Sequence, residues 1–293
     1  MFETVAIIGV GLLGGSLARD IRQHGLAERI IGVCRSEKTA QSALQLGLLD
    51  EVMLAEKAVA KADLIVLATP MQAMLPILLE IQSQIPKSAI LTDVGSVKTD
   101  LYEDLKDRIP DLLQQFVLAH PIAGGEDSGV QASQAGLFKS KHVIVTQTPE
   151  VNSARTNKVI DLWQAVGARV EKMSLEQHDA IFAKTSHLPH VIAFALVNYL
   201  SRQNNREQLF DLAAAGFYDF TRIASSNAEM WRDICITNRA QLIHALDGFS
   251  AQIAELKSHI SDADQAEILS YFDEAKVARD SGLLRKVEAR QKE

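Results

Sequence analysis

The chain has 293 residues, of which 47% are apolar and 23% are charged, and its formal net charge is −7. This length allows two domains of roughly 100–200 residues each. The negative charge argues against a nucleic-acid-binding protein, which normally shows a basic patch, although small anionic ligands need only local positive charge. Two cysteines far apart in sequence, Cys34 and Cys235, predict no disulfide scaffold and favour a reducing cytoplasm.

The first residues, MFETVAIIGVG, lack the basic segment of a signal peptide. No apolar run approaches the roughly 20 residues that a bilayer-spanning helix requires. We therefore expect a cytoplasmic protein that contacts neither membrane nor nucleic acid.

Short apolar runs rich in β-branched residues alternate with helical patterns through the first half of the chain. Continuous apolar runs are typical of strands covered on both faces, and their alternation with helices indicates parallel βαβ units. The sequence therefore predicts an α/β fold that begins with a Rossmann-type doubly wound sheet. The predicted strands are 4–10, 29–34, 62–70, 88–96, 115–121 and 141–147, and the predicted helices are 14–24, 36–46, 71–83 and 97–107.

The second half of the chain changes character after a last predicted strand at 168–174. Apolar residues then recur every three or four positions, which is the period of a helix. We expect an α/β domain over 1–172 and an all-α domain over 173–293. Its long apolar helix faces fit either a tight bundle or a dimer interface, and we favour a homodimer because two-fold pairs are the commonest soluble oligomers. The charged tail from residue 261 predicts a solvated surface helix.

The stretch GVGLLGGS at 9–16 follows the first predicted strand and opens a helix. Gly9, Gly11 and Gly14 have the G-x-G-x-x-G spacing. In that motif the first glycine allows a tight turn, the second lets the backbone approach a pyrophosphate, and the third lets helix and strand pack closely. The helix N-terminus adds N–H groups for phosphate. Because the motif stands between a strand and a helix, it predicts that the first domain binds a dinucleotide.

The end of the second predicted strand selects between NAD and NADP. An acidic residue there would bind the ribose 2′-hydroxyl of NAD, but this chain carries Arg35 and Ser36, with Glu37 one place later. A guanidinium and a hydroxyl suit a 2′-phosphate, so we favour NADP over NAD; the alternative is that Arg35 stacks on adenine. The predicted cofactor contacts are Gly9, Gly11, Leu12, Leu13, Gly14, Arg35, Ser36, Thr69 and Pro70.

Ser96 stands after the fourth predicted strand, on the carboxyl edge of the sheet, where ligands of open α/β sheets bind. A serine at a strand-to-helix turn is either a helix N-cap or a hydrogen-bonding group beside the nicotinamide. The sequence alone leaves both roles open.

Three further stretches carry candidate site residues: HPIAGGEDSG at 120–129, HDAIFAKTSHLPH at 178–190 and GFYDFTRIASSNAEMWRDI at 216–234. With these blocks in this order the chain resembles the prephenate and arogenate (cyclohexadienyl) dehydrogenases of tyrosine biosynthesis, from the glycine turn to about residue 250. The resemblance implies a Rossmann domain followed by a helical dimerisation domain. It also implies NAD(P)-dependent oxidative decarboxylation of a cyclohexadiene that carries a ring carboxylate and a 4-hydroxyl.

This reaction needs a proton acceptor for the hydroxyl while hydride leaves C4, and a cation for a substrate carboxylate. An imidazole titrates near neutral pH, and the resemblance implies that His120 accepts the proton with help from Ser96. A guanidinium matches a carboxylate bidentately, and the resemblance assigns this role to Arg222. Asp219, three residues earlier, is either its ion-pair partner or a group that orients it.

The histidines of the second block allow several interpretations. His187 and His190 line the substrate pocket, as the resemblance implies, or are hydrogen-bonded core residues. Zinc is disfavoured because Pro189 separates them and no cysteine or H-E-x-x-H pattern is near, so we predict no metal. His178 carries the least weight of the three. Glu126 resembles a family residue that holds the pocket entrance by an ion pair, or it is a solvated carboxylate.

Two other functions stay open. One is a hydride transferase of the β-hydroxyacid dehydrogenase type, which would rely on a lysine of the helical part. The other is a non-catalytic NADP sensor that kept the fold without the chemistry. Trp231 is expected in the helical core. Tyr218 replaces a basic residue of many relatives, which leaves prephenate and arogenate undistinguished.

Overall fold

The computed structural model describes residues 1–125 and 127–291. The chain divides into two compact units, Met1–Leu242 and Ile243–Glu293. All predicted site residues fall within the range of the first unit. The boundary proposed between residues 172 and 173 is a division by sequence pattern, and it stays a prediction.

A six-stranded parallel sheet forms the centre of the first unit, which confirms the predicted Rossmann-type fold. Its strands are β1 (Phe2–Ile8), β2 (Ala27–Val33), β3 (Glu51–Val52), β4 (Leu64–Leu67), β5 (Ile90–Asp93) and β6 (Phe116–Val117). Their order is β3-β2-β1-β4-β5-β6. In a doubly wound sheet of this order the winding reverses between β1 and β4, and ligands bind at the carboxyl ends of the strands there.

The apolar runs form strands because both faces of the sheet are covered. In β1, Val5 and Ile7 pack into one buried cluster, whereas Ala6 and Ile8 pack into a second cluster on the other face. Side chains alternate between the faces of a strand, so only an uninterrupted apolar run satisfies both layers. Each large aliphatic side chain buried in this way contributes about 1.5–3 kcal/mol.

A second sheet extends the first unit, and here the predictions need two corrections. Its strands are β7 (Ala119–Pro121), β8 (His142–Thr146) and β9 (Arg169–Met173). The predicted strand at 115–121 is in fact two short strands, since β6 belongs to the large sheet and β7 to the small one. The segment at 141–147 does not continue the parallel sheet, because β8 pairs antiparallel with β7 and parallel with β9.

Helices cover the large sheet and make up the chain after β9. The four predicted helices of the first half are present, and the pattern missed α3 and α6. The helices are α1 (Leu12–Gln23), α2 (Glu37–Gln45), α3 (Ala55–Val59), α4 (Met71–Ile81), α5 (Thr99–Arg108), α6 (Ser153–Ala165), α7 (Leu175–Phe182), α8 (Leu188–Ser201), α9 (Arg206–Asp211), α10 (Ala215–Thr221), α11 (Ala228–Thr237), α12 (Arg239–Ser261) and α13 (Gln265–Gln291).

Helices α7 and α8 join through a π-helical turn, Ala183–His187, into one run of 27 residues, Leu175–Ser201. By length and composition this run could cross a membrane, so the expectation that no apolar run reaches that length is wrong. One such helix is weak evidence for a membrane span. Only 17% of its most apolar window is buried within the chain, and an apolar helix face left exposed in a single chain is equally typical of a subunit interface.

Candidate active site

The glycine turn has the shape that a dinucleotide requires. Gly9 has a φ of +96°, and a Cβ added there would lie 2.5 Å from the carbonyl oxygen of Ala68. A Cβ on Gly14 would lie 2.1 Å from the carbonyl oxygen of Gly9. By contrast, a Cβ on Gly11 would meet no heavy atom of the described residues within 4 Å. The turn is therefore closed by backbone on one side and open at Gly11, the N-cap of α1, which suits an approaching pyrophosphate.

Because a Cβ at Gly11 would meet no heavy atom of the described residues within 4 Å, Gly11→Ala separates cofactor binding from folding. We expect an unchanged Tm and a KM for the nicotinamide cofactor raised about tenfold or more, equivalent to about 1.4 kcal/mol of lost binding. Steady-state kinetics and a thermal melt measure the two effects. Gly282→Ala in α13, where an added Cβ would likewise meet no described heavy atom within 4 Å, is the control. An unchanged cofactor KM in the Gly11 variant would contradict the assignment.

The residues predicted to choose the cofactor lie at the end of β2. Arg35 is exposed. Ser36 is the N-cap of α2, and its Oγ accepts a hydrogen bond of 3.2 Å from the backbone N–H of Thr39. The hydroxyl therefore already serves the helix terminus, and Arg35 is the residue that remains as the cationic group for a phosphate.

The carboxyl ends of β4 and β5 bring further predicted residues to the same edge. Thr69 and Pro70 follow β4 after one intervening residue, Ala68, and a Cβ on Gly9 would lie 3.0 Å from Cγ2 of Thr69. Ser96 follows β5 and is half-buried. Helix α5 begins only at Thr99, with Lys98 at its N-cap. The interpretation of Ser96 as a helix N-cap is therefore wrong, and its hydroxyl is not used to end the helix.

His120 lies on β7, beside the carboxyl end of β5. The preceding residue, Ala119, donates its backbone N–H to Oδ1 of Asp93, the last residue of β5, at 3.0 Å. The His120 side chain is buried, and its Nδ1 lies 2.8 Å from Nε2 of His178 on α7. Nδ1 of His178 lies in turn 2.7 Å from Oδ1 of Asp179. The structure thus joins the predicted proton acceptor to a second histidine and a carboxylate.

A buried ion pair lies next to the row of side chains formed by His120, His178 and Asp179. Lys98 is fully buried, and its ammonium pairs with Asp93 and donates to the carbonyl oxygen of Ala119 at 2.9 Å. Asp179 receives the backbone N–H groups of Lys98 at 3.0 Å and Thr99 at 2.8 Å. Charged groups therefore connect three segments of the chain: the turn after β5, strand β7 and helix α7.

Burial sets the protonation of these groups. It holds the pKa of His120 well below its ordinary value, and the positive charges that His178, Lys98 and His187 can carry act in the same direction. Burial works to raise the pKa of Asp179, but hydrogen bonds from His178, Thr99 and Lys98 outweigh it and lower that pKa. His120 is therefore neutral and Asp179 ionised near pH 7, so the imidazole can take up a proton.

The two other predicted histidines lie on the π-helical turn and on α8. Asn238 donates to the backbone carbonyl of Asp179 at 3.0 Å and lies 3.1 Å from Nδ1 of His187. Burial lowers the pKa of His187 to about 4. His190 stacks on Trp231 with 3.8 Å between ring centroids, so this tryptophan, which is buried as expected, also packs against a predicted site histidine.

Arg222 follows α10 in a short turn. Burial and, to a smaller extent, the charge of Arg222 lower the pKa of His190, so the guanidinium and this imidazole interact electrostatically. Asp219 is exposed on α10. Tyr218 donates its hydroxyl to the carbonyl oxygen of Phe210 at 2.9 Å. The predicted role of Glu126 concerns a residue outside the described ranges.

The segment between β7 and β8 is tied to the cofactor helix. Ser16 of α1 accepts the backbone N–H of Gln134 at 2.9 Å, and Asp20 accepts that of Gly136 at 2.7 Å. A Cβ added at Gly15 would lie 2.9 Å from the side chain of Ser133. The segment that begins with His120 is therefore anchored on the helix whose N-terminus faces the predicted pyrophosphate site.

Comparison with known proteins decides the family. The profile of the prephenate dehydrogenase nucleotide-binding domain matches residues 17–172, and that of the prephenate dehydrogenase dimerization domain matches residues 174–274. The chain belongs to the prephenate dehydrogenase family. It is therefore an oxidoreductase of tyrosine biosynthesis that uses a nicotinamide cofactor.

Similar members of the prephenate dehydrogenase family cover nearly the whole chain. A cyclohexadienyl dehydrogenase of Zymomonas mobilis is 34% identical over 95% of this chain and 96% of its own length. The prephenate dehydrogenase of Aquifex aeolicus in complex with hydroxyphenyl propionate and NAD+ is 37% identical, covers 96% of this chain and 98% of its own, and has a TM-score of 0.90. An arogenate dehydrogenase of Synechocystis is 27% identical, covers 95% and 99%, and has a TM-score of 0.81.

Within this family member, sequence reasoning missed the groups that support His120. His178 had the least weight of the three histidines of its block, yet it contacts His120 directly. Asp93, Lys98 and Asp179 were not singled out. One signal was available, because Lys98 stands in a strand-to-helix turn next to a buried strand. A lysine is almost never fully buried unless it is paired, so its position there could have indicated a buried ion pair.

Proposed function

We propose that this protein oxidises and decarboxylates prephenate or arogenate, with His120 as the proton acceptor. The observation that carries the proposal is the buried, neutral imidazole of His120, which contacts His178 and follows a residue whose backbone N–H is bound by Asp93 at the carboxyl end of β5. Ligands of doubly wound sheets bind at this carboxyl edge. The similarity to prephenate, arogenate and cyclohexadienyl dehydrogenases supports the substrate class.

The bound cofactor supplies the hydride acceptor. His120 takes the 4-hydroxyl proton onto its ring as the C4–H electron pair leaves and the carbonyl forms. The C1–carboxylate bond then breaks, carbon dioxide departs, and its electron pair completes the aromatic ring. The oxygen that was the carbonyl takes the proton back from His120, so the enzyme returns to its starting state with no proton gained or lost. Ser96, half-buried at the same sheet edge, would donate a second hydrogen bond to that oxygen.

We propose that Arg222 binds a substrate carboxylate, with His187 and His190 lining the pocket between it and His120. The interactions of these residues support this, because Asn238 contacts both Asp179 and His187 and the charge of Arg222 acts on His190. Asp219, one helical turn before Arg222 on α10, would orient the guanidinium. Glu126 at the entrance stays a prediction.

Replacing Arg222 by Gln tests the carboxylate clamp. Since a bidentate guanidinium–carboxylate contact contributes about 1.5–3 kcal/mol, we expect the substrate KM to rise about tenfold to hundredfold with little change in kcat. Arg202→Gln, an exposed arginine at the end of α8, is the control. A loss confined to kcat would assign Arg222 to the chemical step instead.

We propose NADP as the preferred cofactor, with NAD as the alternative, because Arg35 is available to the 2′-phosphate. In Arg35→Ala the kcat/KM for NADP should fall about tenfold, equivalent to about 1.4 kcal/mol, whereas that for NAD should change little. Initial rates with both cofactors measure the ratio. A wild-type preference for NAD that Arg35→Ala leaves unchanged would reverse the assignment.

A turnover assay tests the activity itself. The purified protein is given prephenate or arogenate with NAD or NADP, and the absorbance of the reduced cofactor is followed. Turnover of at least one pair, with release of carbon dioxide, is the expected result. Cofactor binding without turnover of any pair would favour the non-catalytic sensor, and turnover of β-hydroxyacids alone would favour the other class of hydride transferase.

We propose that the protein is a cytoplasmic homodimer. Residues 174–274 match a dimerization domain, and large apolar side chains in this range are exposed in the single chain, including Tyr199, Ile236, Ile253 and Ile260. A subunit interface would cover exposed apolar side chains of this size. It also accounts for the low burial of the run Leu175–Ser201 without a membrane.

A further inference from the structure

The contacts of Asp179 determine where the protons of the two histidines lie. Its Oδ1 accepts the backbone N–H of Lys98 and its Oδ2 that of Thr99. An ionised carboxylate only accepts hydrogen bonds. Nδ1 of His178, 2.7 Å from Oδ1, must therefore carry a proton, because two acceptors at that distance would repel each other.

This assignment passes along the row to His120. A neutral imidazole has one N–H and one lone-pair nitrogen, so Nε2 of a neutral His178 accepts a hydrogen bond. Nδ1 of His120, 2.8 Å away, is then the donor. That leaves the lone pair of His120 on Nε2, the ring nitrogen not engaged by His178.

We propose that His178 and Asp179 are positioning residues that hold His120 in the Nδ1–H tautomer, so that its Nε2 is the atom that receives the substrate hydroxyl proton. The catalytic consequence rests on the proposed function, whereas the tautomer itself does not. In the proton transfer the hydroxyl O–H bond breaks and the Nε2–H bond forms. The resulting imidazolium keeps its Nδ1–H bonded to His178, whose own N–H points to the carboxylate.

The charged and titratable groups around His120 are compatible with this arrangement. Lys98 approaches from the turn after β5, with Asp93 as its partner; His178 and Asp179 approach from α7, and His187 from the π turn. Burial lowers the pKa of His178 despite its hydrogen bond to Asp179, so both imidazoles are neutral near pH 7. Asp179 requires the proton of the neutral His178 on Nδ1. The hydrogen bond between the two imidazoles can then have only one direction, with His120 as the donor and His178 as the acceptor.

The tautomer of His120 can be determined by a measurement that does not depend on enzymatic activity. Nitrogen-15 NMR of protein labelled in histidine distinguishes a protonated from an unprotonated ring nitrogen, and His120→Asn identifies the His120 signals by their loss. We expect the proton on Nδ1 and the lone pair on Nε2 in the wild-type protein at pH 7. A proton on Nε2 of His120 would overturn the proposal, whether or not the protein turns over prephenate.

Two substitutions then connect the tautomer to the rate. Leu at position 178 is similar in size but accepts no hydrogen bond, whereas the amide oxygen of Gln can accept the Nδ1–H of His120. We expect His178→Leu to lower kcat by about 10²–10⁴-fold, as when a catalytic histidine loses its orienting group, with the substrate KM within about threefold of wild type. His178→Gln should retain at least about tenfold more kcat than His178→Leu.

The pattern of results separates positioning from mere structural support. Rescue by Gln together with a displaced His120 proton in the Leu variant supports the proposal. Equal losses in the two variants, or wild-type rates in both, would contradict it. If His178→Leu does not fold, the wild-type spectrum and His178→Gln still test the proposal. A His178→Gln variant that has the His120 proton on Nε2 and a wild-type kcat would contradict it.

Discussion

Replacing His120 by Asn is expected to lower kcat by about 10²–10⁴-fold, the usual contribution of general acid–base catalysis, with a smaller effect on the substrate KM. Asn can hydrogen bond but cannot take up the hydroxyl proton, so C4 would have to release hydride while its oxygen keeps the proton. The loss should appear equally in kcat and kcat/KM, as for an interaction made in the transition state.

The pH dependence of kcat/KM provides a second test of His120 as the base. A base must be unprotonated to act, and burial together with the neighbouring positive charges holds the pKa of His120 well below its ordinary value. The wild-type kcat/KM should therefore stay level through neutral pH and fall only as the solution becomes more acidic than the usual histidine range. The Asn variant should lack that acid limb.

His24→Asn is the matched control, since His24 is an exposed histidine at the end of α1. We expect its rate and its pH profile to equal those of the wild type. If His120→Asn kept its rate within about threefold, or kept the acid limb, the proton acceptor would have to be another group of the row.

Local patterns predicted the large sheet because its requirements are local. β1 and β4 are largely apolar and buried, and Gly9, Gly11 and Gly14 open a helix directly after β1. The short β3 has two residues, too few for a periodic signal. The break between β6 and β7 lies inside one apolar run, so the pattern of apolar residues does not indicate that the chain passes from one sheet to the other.

The supports of His120 were not predictable in this way, because they are contacts between distant segments. The contact of His120 with His178 spans 58 positions, and that of Lys98 with Asp179 spans 81 positions. Neither spacing has a local period. The pairing becomes visible only once the fold brings α7 against the turn after β5. The sequence therefore proposed His120 as the acceptor but gave His178, which contacts it, the least weight of the three histidines.

Replacing Lys98 by Met should cost about 3–5 kcal/mol of unfolding free energy, because it leaves the Asp93 carboxylate buried without its cation. The lysine itself is held at a cost: burial lowers the pKa of Lys98, although Asp93 partly offsets this. Urea unfolding of the purified variants measures the loss. Lys106→Met is the control, since Lys106 faces Glu103 across 3.9 Å on the exposed side of α5 and such surface pairs contribute about 0–1 kcal/mol.

A double-mutant cycle shows whether the cost comes from the stranded charge. Asn at position 93 removes the charge but can still accept the backbone N–H of Ala119 or Gly95, so Lys98→Met combined with Asp93→Asn should be less destabilised than the sum of the single variants. Since the ammonium also lowers the pKa of His120, Lys98→Met should move the acid limb of kcat/KM to higher pH. Additive losses, or a single-variant loss below about 1 kcal/mol, would mean that the pair does not fasten β5 to the strand of His120.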